Sequence, residues 1–194
     1  LASSPDVIDD KAQNQLDEVG LTTYDIVLIN QIIGFVGFQA RVVAVFQALL
    51  GHPVRWLPGH PIQPHTLPVS FSRWTATLPA VELKYASALQ LEALSRWQAD
   101  PALEARTPVL CHEPMLLNLT GEILLNHPLS EGPASSMISA ARALLVASPD
   151  RFSAAQLTPL TGSGLSPEKA INLLTRDAFY GWLDRLRVAL GKEE

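Results

Sequence analysis

The stretch Leu21–Leu50, LTTYDIVLINQIIGFVGFQARVVAVFQALL, is nearly all apolar and holds one arginine, Arg41, deep inside it. Read at 100° per residue, its polar residues Asn30, Gln31, Gln39, Arg41 and Gln47 scatter around the wheel. A helix without a polar face is normally buried on most sides. The stretch therefore predicts a central core helix, covered in part by another subunit, with its amides hydrogen-bonded internally and Arg41 held by a carboxylate or carbonyl. A membrane span is the competing reading. These amides and an arginine within about 20 residues would be expensive in hydrocarbon, so no membrane partner is expected. Gly34 and Gly37, at small-x-x-small spacing, would let a second helix approach closely.

The stretch has an echo near the C-terminus, LSPEKAINLLTRDAFYGWLDRLRVAL from Leu165 to Leu190. Placing Leu21 on Leu165 without a gap puts Phe35 on Phe179, Gly37 on Gly181 and Arg41 on Arg185. Reading backwards puts Gly20 on Gly164, Leu16 on Leu160 and Ser4-Pro5-Asp6 on Ser148-Pro149-Asp150. About nine identities over roughly forty positions, against about one in sixteen by chance, predict an internal repeat. The second copy has about a hundred residues of its own module in front of it and the first almost none, so the first module reads as truncated. The resulting division is residues 1–51, the end of a first module; 52–70, a linker; and 71–194, a second module.

Composition narrows the function classes. The chain has 194 residues, 47% hydrophobic and 17% charged, with a formal net charge of −5. That is an ordinary globular composition, and the acidic balance with no Lys/Arg stripe argues against nucleic acid as a partner. A single cysteine, Cys111, excludes an intramolecular disulfide. No basic region followed by an apolar core marks a signal peptide.

Along the chain, DDKAQNQLDEV predicts a short helix stopped by Gly20, and Thr22 or Thr23 caps the long one, with Asp25 in its first turn. Gly51 and Gly191 end the two long helices. Residues 52–70 are rich in proline and hold His52, His60 and His65, whose spacing matches no zinc pattern, so no metal is expected. Phe71–Tyr85 reads as an irregular aromatic segment whose Trp74 and Tyr85 pack on the second module. SALQLEALSRW is helical, with Leu89, Leu91 or Leu94, and Trp97 on overlapping faces. Asp100-Pro101 opens a short element. Pro114 begins a helix carrying Leu116, Leu117, Leu119, Ile123 and Leu124 inward; His127–Ala134 is a loop; Met137–Val146 is a helix. Ser166, Pro167 and Glu168 start the last helix, whose stripe is Ile171, Ala178, Trp182, Leu186 and Ala189. No run alternates at period two for long enough to be a strand, and the fold class is all-α.

DIVLINQIIGFVGFQARVVAVFQALLG and GLSPEKAINLLTRDAFYGWLDRLRVALG resemble the closing helices of the two modules in tandem proteins of the carboxymuconolactone decarboxylase/alkylhydroperoxidase D (AhpD)-like family, in its peroxidase-related group. RWTATLPAVELKYAS and HEPMLLNLTGEIL resemble the pieces that precede the active-site helix of the second module. The resemblance implies an AhpD-like helical bundle, a homo-oligomer built through the long apolar helices, a cytoplasmic setting, no cofactor, and hydroperoxide reduction with a thiol reductant as partner. In active members a Cys-x-x-Cys helix carries the chemistry. One thiolate attacks the peroxide oxygen, the other resolves the sulfenic acid, and a Glu/His pair relays protons.

This sequence departs from that pattern. Between Leu129 and Ala140, where the helix should fall, no cysteine stands. The segment has been lost from the protein, is present in the protein but outside this sequence, or is replaced by another site; a catalytically inactive helical interaction module is the alternative function. The remaining catalytic candidate is Cys111 with His112 and Glu113. Adjacent residues point different ways, so this spacing is poor for a nucleophile held against its base, and a buried thiol beside a helix start competes with it. For Arg41 and Arg185, an anion-binding role competes with a recurrent ion pair or helix-end clamp. Asp184 and Asp177 are the local partners expected for Arg185.

Overall fold

The computed structural model describes residues 10–53, 74–101, 103, 106–126, 136–162 and 164–193. Among them the fold is all-α, with eight α-helices: α1 (Asp10–Glu18), α2 (Thr23–Leu49), α3 (Ala88–Trp97), α4 (Thr107–Leu110), α5 (Pro114–Asn126), α6 (Ser136–Ala147), α7 (Ala154–Gly162) and α8 (Pro167–Leu190). Most of the linker and the expected loop at residues 127–134 lie outside the described residues.

The two helical hairpins α1–α2 and α7–α8 turn in the same way at positions 144 apart. Gly20 and Gly164 take φ of +86° and +91°, left-handed values that a side chain would oppose. Gly20 N donates to Asp17 O and Leu21 N to Leu16 O; Gly164 N donates to Thr161 O and Leu165 N to Leu160 O. Each turn then delivers a cap. Thr22 forms a capping box with Asp25, and Ser166 accepts from Lys169 N.

The long helices cross as an antiparallel pair at an aromatic cluster. Phe35 meets Trp182 at 5.5 Å between ring centroids, Phe38 meets Phe179 at 5.8 Å, and Phe38 stacks on Trp182 at 6.0 Å. Exchanging Phe35 with Phe179 and Phe38 with Trp182 carries this set of contacts onto itself, so the crossing has an approximate two-fold pattern. Such ring pairs add to the burial of their apolar area. Gly34 makes the approach possible: a Cβ there would stand 2.1 Å from Trp182 Nε1.

The crossing divides the core. On one side α3, α4 and α5 pack with the first half of α2 and the end of α8, around Ile26, Val27, Trp97, Leu117, Leu186 and Leu190. On the other, α6 and α7 pack with the second half of α2 and the start of α8, around Ala44, Val45, Leu145, Phe152, Leu174 and Ala178. Trp97 lies over Gly121 of α5 and donates from Nε1 to Asn118 Oδ1 at 2.7 Å.

Several local expectations need correction. A two-stranded antiparallel ladder, β1 (Trp74–Ala76) with β2 (Gly191–Glu193), joins the segment before α3 to the end of α8. Three-residue strands are too short to show an alternation. Gly191 ends α8 by entering this ladder. Tyr85 is exposed, with Lys84 over its ring, and is not packed into the core as expected. Asp100 accepts from Leu103 N in a turn, without a helix at Pro101. Leu89, Leu91 and Leu119 point outward, and α3 buries Ala93 and Trp97.

The largest correction concerns α2. It is not buried on most sides. Asn30, Gln31 and Arg41 do face inward, at 5%, 1% and 4% exposed, and as expected the amides bond internally, Asn30 Nδ2 to Ile26 O and Gln31 Nε2 to Leu110 O, whereas Gln39 is exposed. Ile26, Val27 and Val45 are buried, but a second set of bulky apolar residues faces outward, with Ile32 at 47%, Val36 at 55%, Val43 at 54%, Phe46 at 47% and Leu50 at 67%.

Candidate functional site

Cys111 caps the short helix α4, which ends in the core between α3 and α5. Its Sγ donates to Gln90 O at 2.8 Å and is fully enclosed. Burial pushes the thiol up from its usual range, away from the thiolate that attacks peroxides. His112 leaves in another direction, with Nε2 3.0 Å from Pro79 O, a contact that places the proton on Nε2. Glu113 takes a third. Its Oε2 accepts from Tyr24 Oη at 2.8 Å, and its Oε1 accepts from Met115 N in the first turn of α5. The hydrogen bond to Glu113, and next its charge, push the Tyr24 hydroxyl up. The three side chains thus share no reaction centre. In the folded protein Cys111 is expected to react with iodoacetamide at least a hundredfold more slowly than in about 6 M guanidinium, as mass spectrometry of timed aliquots would read.

Arg41 and Arg185 converge on a single atom. Arg41 Nε and Nη2 donate to Val146 O at 3.1 and 2.7 Å, and Arg185 Nη2 donates to the same oxygen at 2.8 Å. Each arginine also bonds the glycine four residues behind it: Arg41 Nη1 to Gly37 O at 2.8 Å, Arg185 Nη1 to Gly181 O at 2.9 Å. Val146 O is one of the last carbonyls of α6, where the helix leaves acceptors open and carries partial negative charge. Two cations at one helix end make a clamp that ties α6 to both long helices. Burial pushes Arg41 down to about 9, with the neighbouring Arg185 charge adding to it, and burial pushes Arg185 down to about 10. The carbonyl acceptor could not be located from sequence, because every residue supplies one.

Asp177, expected beside Arg185, instead pairs with Arg142 of α6 at 2.7 Å, with Arg176 at 3.8 Å. Burial pushes its carboxyl up against the pull of these arginines, and burial also pushes up Asp184, against Arg106, Arg187 and Arg185. The folded state then holds these protons to higher pH than the unfolded chain does. Their stabilising contribution is fully present below about pH 3.9 and is lost as pH rises through the folded values. The Asp177→Asn/Asp184→Asn variant is accordingly expected to lose less stability than the parent between about pH 4 and pH 7 in urea titrations.

No group of three or more His, Cys, Asp or Glu suited to a metal stands among the described residues, of which His52 is one; His60 and His65 lie outside them. The other conspicuous feature is the outer face of α2. Tyr24, Ile29, Ile32, Ile33, Val36, Val43, Phe46 and Leu50 stand exposed along a helix long and apolar enough to cross a membrane. At the matching positions of α8, Ile32, Val36 and Val43 give way to Arg176, Tyr180 and Arg187. No family model, no curated protein and no solved structure matches this chain.

Proposed function

We propose that this chain works as a helical assembly module, with the outer face of α2 as its docking surface, and not as a thiol peroxidase. The observation that carries the reading is the row of exposed bulky apolar residues along α2, Ile29, Ile32, Val36, Val43, Phe46 and Leu50. A contiguous exposed apolar patch of this kind marks an interaction site in soluble proteins. The peroxidase reading rests on the resemblance of the two long segments to AhpD-like modules, and it requires two thiols where the 194 residues hold one. That one is enclosed, raised in pKa, and separated from His112 and Glu113 in direction.

Two measurements test the proposal together. Hydroperoxide consumption in the presence of dithiothreitol is expected to match the thiol-only background, and Cys111→Ala is expected to leave it there. Sedimentation velocity, alone and with candidate partners, is expected to show association that Val36→Glu abolishes. Turnover above background that disappears in Cys111→Ala would overturn the assembly reading in favour of a one-cysteine peroxidase.

A further inference from the structure

The outer face of α2 has an internal order that identifies what covers it. Ile29, Ile32, Val36, Gln39, Val43, Phe46 and Leu50 follow one another at steps of three and four, which keeps them on one stripe of a helix. All seven are exposed. Their one polar member, Gln39, is also their midpoint, with three apolar residues on either side. From Ile26 to Leu50 the helix holds a single charged residue, Arg41, and that one is turned inward.

We propose that this stripe is the interface of a two-fold dimer, in which α2 packs antiparallel on α2 of a second copy and the two Gln39 side chains meet near the axis. The inference rests on the assembly reading above and names its partner. A two-fold interface must be self-complementary, each residue facing a counterpart on the same stripe read backwards. The stripe meets that demand: Ile29 comes opposite Leu50, Ile32 opposite Phe46, and Val36 opposite Val43. At the centre, two amides can donate to and accept from one another, satisfying groups that an apolar partner would strand.

Area agrees with this assignment. Seven side chains at about half exposure present on the order of 600 Å², so a symmetric pair removes on the order of 1,200 Å², the lower edge of the range for specific interfaces. The antiparallel arrangement also sets each helix dipole against its opposite. A lipid surface fits less well. Interfacial helices carry lysine and arginine around their apolar face, whereas α2 exposes none and the chain's net charge of −5 opposes anionic headgroups. Nor can α2 enter a bilayer alone, because α8, packed along it, carries Arg176, Asp177, Asp184, Arg185 and Arg187.

Light scattering on the intact chain is expected to give about 42 kDa, twice the 21.1 kDa of one copy. The Val36→Glu/Val43→Glu variant is expected to run at 21 kDa, its dissociation constant raised at least a hundredfold, with an unchanged circular dichroism spectrum; both sites are exposed in one copy, so the fold itself loses little. Met115→Glu, at an exposed apolar position on α5, is expected to leave the dimer intact. Oxidation of Gln39→Cys is expected to cross-link two copies. Ile29→Cys is not, because the antiparallel pairing holds its two copies about 30 Å apart; mixed with Leu50→Cys, it cross-links to that variant. A parent chain that stays monomeric up to about 100 μM, self-linking of Ile29→Cys, or a monomer that floats with phosphatidylcholine–phosphatidylglycerol vesicles would each overturn the proposal. The first of these leaves the assembly reading standing if another protein still binds the α2 face, so the two claims fail separately.

Discussion

Gly34→Ala is expected to cost at least 3 kcal/mol in urea unfolding and to lower Tm by about 6–12 °C. In an exposed helix the same change would stabilise by up to about 1 kcal/mol, because alanine is the better helix former. The sign reverses because the new methyl group would stand 2.1 Å from Trp182 Nε1 and 2.2 Å from Cδ1. An indole wedged among Phe35, Phe38 and Phe179 cannot retreat without opening the crossing. Two controls separate the clash from ordinary helix effects. Gly162→Ala, at the end of α7 with nothing within 4 Å, is expected to be neutral or mildly stabilising. In a Trp182→Leu background the penalty of Gly34→Ala is expected to fall below about 1 kcal/mol, a coupling that a double-mutant cycle reads directly. If the penalty is the same in both backgrounds, the close approach of α2 and α8 is not its cause.

The second large effect concerns the two arginines on Val146 O. Arg41→Met or Arg185→Met alone is expected to cost about 1–2 kcal/mol, since the other guanidinium still serves the carbonyl and loses a repulsive neighbour. Removing both leaves that helix end without either cation. The double variant is expected to cost at least 1 kcal/mol more than the single costs added together, in all about 4–6 kcal/mol, or a Tm drop of roughly 10–20 °C. Strict additivity would mean that the two arginines act independently and that the shared carbonyl is incidental. Lysine is not expected to substitute at either site, because it cannot reach Val146 O and the glycine carbonyl with one planar fork.

Sequence makes some parts of this fold legible and hides others, for reasons that individual residues explain. Gly20, Thr22 and Ser166 are readable because turns and caps depend on a few atoms close in sequence, and each does locally what its residue type favours. The clamp is half readable. Arginines at equivalent places in two long helices imply a recurring structural role, but their partner is a backbone atom on α6 and carries no residue-type signal. The facing of α2 escapes the helical wheel because both of its faces mix apolar and polar residues, Gln39 lying outside and Asn30, Gln31 and Arg41 inside. Its inner face mixes small residues, Gly34, Ala44 and Ala48, with polar ones, Asn30, Gln31 and Arg41, and bulky apolar ones, Ile26, Val27 and Val45, while Ile32, Val36, Val43 and Phe46 go outward. At Cys111 spacing alone is informative, and the divergence expected of three consecutive residues is what the hydrogen bonds of Cys111, His112 and Glu113 display.

The pairing of α2 with α8 also sets an order of events during synthesis. α8 begins more than a hundred residues after α2 ends, so at about 5–20 residues per second the ribosome needs several seconds or more to deliver the partner. Through that interval the inner face of α2 has no α8 to meet, and a lone helix of this length and hydrophobicity presents what targeting factors read as a membrane span. A nascent chain halted before Pro167 is therefore the form most exposed to aggregation or misdirection to a translocon. The native crossing, which must bring Phe35 to Trp182 and Phe38 to Phe179, also forms late and slowly compared with the local hairpins that feed it.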